Sequence, residues 1–290
     1  DLNRKKGGLF ILPGSAFGTS RTGSRFLLRD LEHNKVYLRR DTSELIVLSS
    51  ASFVYNADYN WLAATHRASG ADITVLTKPA EGKDVDVTGF NVEDGRVKGL
   101  KHGVDFGDTA FLDCFVMSRA LLLQMLEWYA QTDYLDLFEA MVGDYERVNV
   151  QTCEFDGYAA AIFNKDRYYR ANMDLLDPKI SAELFPAERP IRTKAHDNAP
   201  AKFEGGSRVT NSRIAGSCRI YGTVSNSILG RGIVVESGAV VNNAIIMQGC
   251  TIESGARVEN AIVDRNNVVP AGTELRGTPE ALLIKEKASE

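Results

Sequence analysis

Four histidines, His33, His66, His102 and His196, are the side chains best suited to proton transfer or zinc ligation, and they are scattered along the chain. No two stand at i and i+4, the spacing that places two imidazoles on one helix face, and no carboxylate cluster flanks them. They read as surface or structural residues. Four cysteines, Cys114, Cys153, Cys218 and Cys250, lie far apart with no C-x-x-C pair. That spacing suits neither a zinc cage nor a disulfide framework, so reduced, mostly buried thiols of a cytosolic protein are expected. Asp58 precedes a helix-like stretch and reads as a helix-start residue, whose carboxylate accepts from exposed N–H groups, more readily than as a metal ligand.

Composition narrows the classes further. With 290 residues and 44% hydrophobic content the chain is long enough for two cores. Its 38 acidic and 34 basic residues give a net charge of -4 and are interspersed, so no basic stripe offers a surface for nucleic acid. No apolar run is of membrane-spanning length, and no charged-then-apolar leader is present, so a soluble, cytoplasmic protein is expected. The segment 1–29 is rich in Gly, Ser and Arg without a periodic signal, and an Asp at position 1 does not look like a natural amino terminus.

The elements that position these groups begin with an apolar run at 44–48, of the kind a buried strand uses, followed by a helix-like segment at 60–68. Further strands are expected at 72–76, 85–92 and 111–117, with Asp94-Gly95 as a tight turn. Ser118 is placed to cap a helix running to about 130, and another helix spans about 165–175, ended by Asp177-Pro178. This alternation predicts an α/β domain over 1–183 with a mainly parallel, Rossmann-like sheet. Residues 184–207 hold a proline-rich stretch and read as a linker.

From about residue 208 the chain becomes rich in Ile, Val, Gly, Ser and Asn. Ile228, Val234, Val240, Ile246, Ile252 and Val258 recur every six residues; Ile214 and Ile220 keep that spacing one slip earlier, Val263 and Val269 one slip later. A triangular solenoid over 208–278, a left-handed parallel β-helix whose short strands each donate one aliphatic side chain to an axial core, accounts for the period. Gly238, Asn243, Gly249 and Gly255 are expected at its corners. An antiparallel β domain would favour period two instead. Residues 279–290 read as a tail. No histidine falls in the repeat, which argues against the acyltransferases that place a general-base histidine between coils.

Specific motifs add a resemblance to this reading. Asp1-Leu-Asn-Arg-Lys-Lys-Gly-Gly-Leu-Phe-Ile-Leu-Pro13 resembles W-D-L-D-R-x-x-G-G-V-x-I-L-P, and Tyr168-Tyr-Arg-Ala-Asn-Met-Asp174 resembles Y-W-x-A-N-M-D-L. Arg189-Pro-Ile-Arg-Thr193 and Pro200-Ala-Lys-Phe203 resemble W-P-I-R-T…P-P-A-K-F. These are motifs of the bacterial ADP-glucose pyrophosphorylases, the glucose-1-phosphate adenylyltransferases, and the similarity covers the whole chain.

In that family two aspartates hold Mg²⁺ against the phosphates, since magnesium takes hard oxygen ligands and neutralises charge during phosphoryl transfer. The resemblance puts Ser50 or Ala51 at the first aspartate's place, in a stretch one residue longer than the family's, and Ala161 at the second. Asp156 and Asp166 flank Ala161 at offsets that do not match. The family's E-K-P lysine has no counterpart: Lys98 and Lys101 approximate its charge, while Lys78-Pro79 stands too early. The phosphate-cradling G-x-G-T-R-L loop is not within these residues and would precede Asp1; Phe17-Gly18-Thr19 resembles the x-G-T-A turn near the nucleotide.

These departures resemble the non-catalytic, GlgD-type branch. The resemblance therefore implies a regulatory subunit with no catalytic residue of its own, partnered with a catalytic paralogue in a hetero-tetramer for glycogen synthesis. Mg²⁺ is then expected only in the catalytic partner. Because the family responds to sugar phosphates held by cations between domains, Arg4, Lys5, Lys6, Arg39, Arg40, Arg192 and Lys194 are candidate anion contacts. Taken singly, each also fits a solvated basic face.

Overall fold

The computed structural model describes residues 26–132, 135–194 and 196–287. They separate into two compact units, Asp1–Ala161 and Ile162–Glu290. The boundary expected near residue 183 thus falls inside the second unit. The segments carrying Asp1 to Pro13 and Phe17 to Thr19 lie outside the described residues.

The first unit opens with two short helices, α1 (Leu28–His33) and α2 (Lys35–Arg40), before strand β1 (Leu45–Ser49) and the short β2 (Phe53–Tyr55). Helix α3 (Tyr59–Ser69) follows, started by Asp58, whose side chain accepts from the Asn60 and Trp61 N–H groups, and stopped by Gly70 at φ 65°. Then come β3 (Ile73–Pro79), β4 (Asp84–Glu93), β5 (Arg96–Val104) and β6 (Thr109–Ser118). Ser118 caps α4 (Arg119–Trp128) by accepting from Leu121 N–H, as its position in the sequence predicted. The unit closes with α5 (Leu137–Ala140), β7 (Val150–Glu154) and β8 (Ala159–Ala161).

The sheet runs β1-β6-β3-β7-β5-β4, and it is mixed rather than mainly parallel. Within this sheet, among the described residues, only β3 and β7 pair in parallel; β6 runs antiparallel to both β1 and β3. The reason lies in the connections. A two-residue turn at Asp94-Gly95 can join β4 and β5 only as antiparallel neighbours. On one core, Phe138 of α5 packs its ring 5.0 Å from Phe115, 5.1 Å from Phe111 and 5.6 Å from Phe90, at edge-to-face angles that aromatic quadrupoles favour.

The second unit begins with α6 (Lys165–Asp174) and α7 (Pro178–Leu184). Asp177 starts α7 by accepting from Lys179 N–H, with Pro178 in the first turn, so the Asp-Pro pair that ends one helix also opens the next. A parallel β-helix follows. Lys202–Phe203 already pairs with Arg219–Ile220, and Leu283–Lys285 pairs with Ala261–Val263, so the coil takes in part of the expected linker and part of the expected tail.

Coil length departs from a strict multiple of six. Val234 lies beside Thr251, and Thr251 beside Val268, a 17-residue step; Arg219 lies beside Val234, a 15-residue step. Consequently Leu229, Val235 and Val241 are fully buried, whereas Ile228, Val234 and Val240, expected to face the axis, are half-buried. Ile246, Ile252, Val258, Val263 and Val269 are buried as expected. Each misplaced residue belongs to an aliphatic doublet, and period six alone does not say which member turns inward. The corners are as expected: Gly238, Gly249 and Gly255 have φ of 76°, 74° and 71°, and Asn243 has φ 46°.

The corrected register has a measurable signature. Leu229→Ala should cost about 2–5 kcal/mol of unfolding free energy, and Ile228→Ala less than half of that, in denaturant titrations followed by circular dichroism. Equal losses would contradict the inward placement of Leu229.

Candidate functional site

Two positions distant in sequence meet at one end of the first unit. After β1 the chain turns at Ser50, whose N–H donates to the Asp113 carbonyl (2.9 Å) and whose hydroxyl accepts from Ser52 N–H (3.0 Å). It returns as β2, which pairs antiparallel with β8, Phe53 opposite Ala161 and Tyr55 opposite Ala159. Ser50 and Ala51, either of which the motif resemblance sets at the first aspartate, and Ala161, which it sets at the second, are therefore gathered around one short ribbon. They offer a hydroxyl and two methyl groups, and that donor set does not fit magnesium, which takes carboxylate, phosphate and water oxygens. Asp58 is occupied as the cap of α3. Among the described residues no three His, Cys, Asp or Glu side chains come together in a group that could hold a metal ion.

The surroundings are equally short of charge. The Tyr55 hydroxyl lies 2.7 Å from Ser49 Oγ, and burial, followed by the neighbouring Cys114, pushes its phenol far above the usual tyrosine range. Burial likewise raises the Cys114 thiol. Near neutral pH both groups are protonated, so this wall supplies neither thiolate nor phenolate. Lys98 pairs with Glu146 at 3.8 Å, and Lys101 pairs with Asp108, whose carboxyl is held below its usual range first by the Lys101 hydrogen bond. Lys78 is the lysine that the fold carries toward β8: its Nζ donates to the Gly157 carbonyl at 3.0 Å. Counting along the chain set Lys78 aside, because a position in sequence does not reveal the parallel β3–β7 pairing that brings it there.

The candidate anion contacts divide between the units. Arg39 and Arg40 share the last turn of α2, with Arg39 3.9 Å from Glu127. Arg192 and Lys194 are exposed in the extended stretch after α7. Arg4, Lys5 and Lys6 lie outside the described residues.

Sequence reading missed a cleft of about 360 Å³ in the second unit, lined on one side by Tyr168 and Asn172 of α6. Its other side carries Arg231, Gln248 and Arg265 at the same corner of successive coils. Gly230 lets those coils approach, since a Cβ there would stand 2.8 Å from the Gln248 nitrogen. Arg265 lies 3.7 Å from Asp264, while Arg231 forms no ion pair among the described residues. Two guanidiniums flanking an amide, beside a phenol ring and an isoleucine floor, make a cationic cleft with an apolar base. The signal was available: Arg231, Gln248 and Arg265 recur at the coil length, which only the correct 17-residue step makes visible.

A mixed-sheet unit is followed in the chain by a parallel β-helix of the hexapeptide class. Residues 199–281 match the family model described as GlmU-like, C-terminal hexapeptide. The chain is 29% identical over 245 residues to glycogen biosynthesis protein GlgD of Bacillus subtilis, covering 82% of this chain and 61% of that protein. It is 31% identical over 246 residues to GlgD of Geobacillus stearothermophilus, covering 83% and 62% respectively. A glucose-1-phosphate adenylyltransferase of Thermomicrobium roseum is 28% identical over 226 residues, covering 75% of this chain and 53% of that one. The resemblance read from the motifs thus holds: the chain is a relative of GlgD proteins and glucose-1-phosphate adenylyltransferases. It spans about three fifths of the length of the GlgD proteins it matches. No helix among the described residues is long and apolar enough to cross a membrane.

All four thiols are buried, and burial raises each of them. Ellman's reagent at pH 8 should therefore find almost no reactive thiol in the folded protein and four after unfolding in guanidinium. A thiol that reacts at once in the folded state would contradict the burial.

Proposed function

We propose that this protein is a non-catalytic regulatory subunit that modulates a catalytic glucose-1-phosphate adenylyltransferase, the enzyme that makes ADP-glucose from ATP and glucose 1-phosphate, in glycogen biosynthesis. The observation that supports this reading is the β2–β8 ribbon, which gathers Ser50, Ala51 and Ala161, residues without a carboxylate that on this reading stand where the family has its metal aspartates. Phosphoryl transfer depends on charge stabilisation more than on covalent chemistry, so losing both metal ligands removes most of what such a site supplies. Two GlgD proteins among the relatives support the same reading.

On this proposal the protein assembles with its catalytic paralogue in a cytoplasmic hetero-tetramer, and magnesium is held by the partner. A sugar phosphate is the effector, held in the Arg231–Arg265 cleft of the second unit; Arg39 and Arg40 in the first unit, and Arg192 and Lys194 in the second, are separate candidate anion contacts. The alternatives are a weakly active adenylyltransferase and a sugar-phosphate sensor or scaffold without a pyrophosphorylase partner.

Mixing experiments separate them. Purified alone, the protein should form no ADP-glucose from ATP, glucose 1-phosphate and Mg²⁺; added to the catalytic paralogue it should raise the rate about fivefold or more, a coupling of about 1 kcal/mol. Turnover by the isolated protein comparable to that of the paralogue would overturn the reading, as would a paralogue whose rate and elution volume are unchanged by its presence. Ala51→Asp together with Ala161→Asp should restore measurable magnesium-dependent turnover if the rest of the pocket is intact.

A further inference from the structure

A second groove in the Ile162–Glu290 unit, about 520 Å³ in volume, has a different chemistry from the cationic cleft. One wall is a column of asparagines, Asn211, Asn226 and Asn243, stacked on successive coils at one corner. All three have φ between 39° and 46°, the left-handed conformation that asparagine tolerates better than other side chains. The facing wall is Tyr169 and Met173 of α6, with Pro178 at its end. No lysine or arginine lines it, and the charged side chain that does, Asp177, is engaged as the cap of α7, accepting from Lys179 N–H.

The hydrogen bonding of this column is incomplete where the groove is. Asn211 Nδ2 donates to Asn226 Oδ1 at 2.8 Å, and there the ladder stops. Among the described residues the Asn226 Nδ2 group and the whole Asn243 side-chain amide have no partner. The column one residue earlier behaves differently: Ser225 donates to Asn242 at 2.8 Å and Asn242 to Glu259 at 3.3 Å, a ladder that continues from coil to coil. That column closes its hydrogen bonds internally, while the column facing Tyr169 leaves donors and an acceptor open among the described residues. Tyr169 itself is fixed, its hydroxyl donating to the Asn243 carbonyl at 2.7 Å, so ring and amides keep a constant relation.

We propose that this groove binds a neutral carbohydrate chain. A phosphate would meet no cation here and would lose its hydration without return. A sugar hydroxyl, being both donor and acceptor, matches a carboxamide that offers both. The apolar face of a pyranose ring packs on an aromatic and aliphatic wall such as Tyr169, Met173 and Pro178. Coils rise by about 4.8 Å, the spacing between neighbouring strands, so open amides on adjacent coils can serve successive sugar units of an extended chain. The choice of an α-1,4-glucan as the ligand rests on the proposed role in glycogen biosynthesis; the recognition of a neutral glycan does not.

Isothermal titration calorimetry of the full chain with maltoheptaose tests the site, with cellohexaose as the stereochemical control and inorganic phosphate as the anionic one. Maltoheptaose should bind, and Asn226→Gly with Asn243→Gly should weaken it about tenfold or more, since glycine keeps the positive φ while removing the amides. Tyr169→Phe, which keeps the ring, should weaken it about twofold to fivefold. Phosphate binding should be unchanged in these variants, and a matching thermal unfolding profile shows that the coil is intact. Preference for cellohexaose with the same dependence on Asn226 and Asn243 would keep the glycan site and overturn the glucan assignment. Absence of binding by any oligosaccharide, or binding indifferent to both variants, would overturn the proposal, whatever the adenylyltransferase assay shows.

Discussion

The backbone ladder between successive coils is the constraint on which the second unit depends. Each short strand hydrogen-bonds in parallel to the strand one coil away, so the length of every coil is fixed by where its neighbour's amides stand. Once that distance is set, the choice of which residue turns to the axis, which corner takes a positive φ, and which side chains stack into columns follows without further freedom. The buried series of Leu229, Val235, Val241, Ile246, Ile252 and Val258 is an outcome of that ladder. Both clefts against α6 are too, because a column exists only where coils repeat in step.

The first unit is organised by a different rule. Its sheet is closed by a hairpin and by β6 inserted antiparallel between β1 and β3, and these non-local pairings bring Ser50 and Ala51 to Ala161. The side chains of Ser50, Ala51 and Ala161 at that meeting place carry no charge. Burial then keeps Tyr55 and Cys114 protonated beside it, so the environment favours an inert wall over a reactive one.

How far the sequence disclosed these features depended on the range of the interactions involved. Local signals were legible: Asp58 and Ser118 as caps, Asp94-Gly95 as a turn, and glycine or asparagine at the corners are each decided by a few neighbouring residues. The repeat was legible as a class of architecture. Its phase was not, because aliphatic doublets such as Val234-Val235 and Val240-Val241 satisfy the same period from either member, and only cross-coil pairing chooses between them. Strand direction in the first sheet was misjudged for a similar reason, since apolar runs report burial and not the orientation of a neighbour. For the candidate site, the motifs pointed to Ser50, Ala51 and Ala161, but the cleft of Arg231 and Arg265 needed the coil length, and the approach of Lys78 to Gly157 needed the β3–β7 pairing.

The doublets that obscured the phase have a further effect. When a strand carries two adjacent aliphatic residues, sliding it by a single residue still delivers an aliphatic group to the axis. A deletion or insertion at a corner is then absorbed within its own coil, and the error is not passed to the next. Coils of 15 and 17 residues stand side by side in this solenoid. Sequence drift at its corners is thereby decoupled from the integrity of its core, which leaves the exterior columns open to change one at a time.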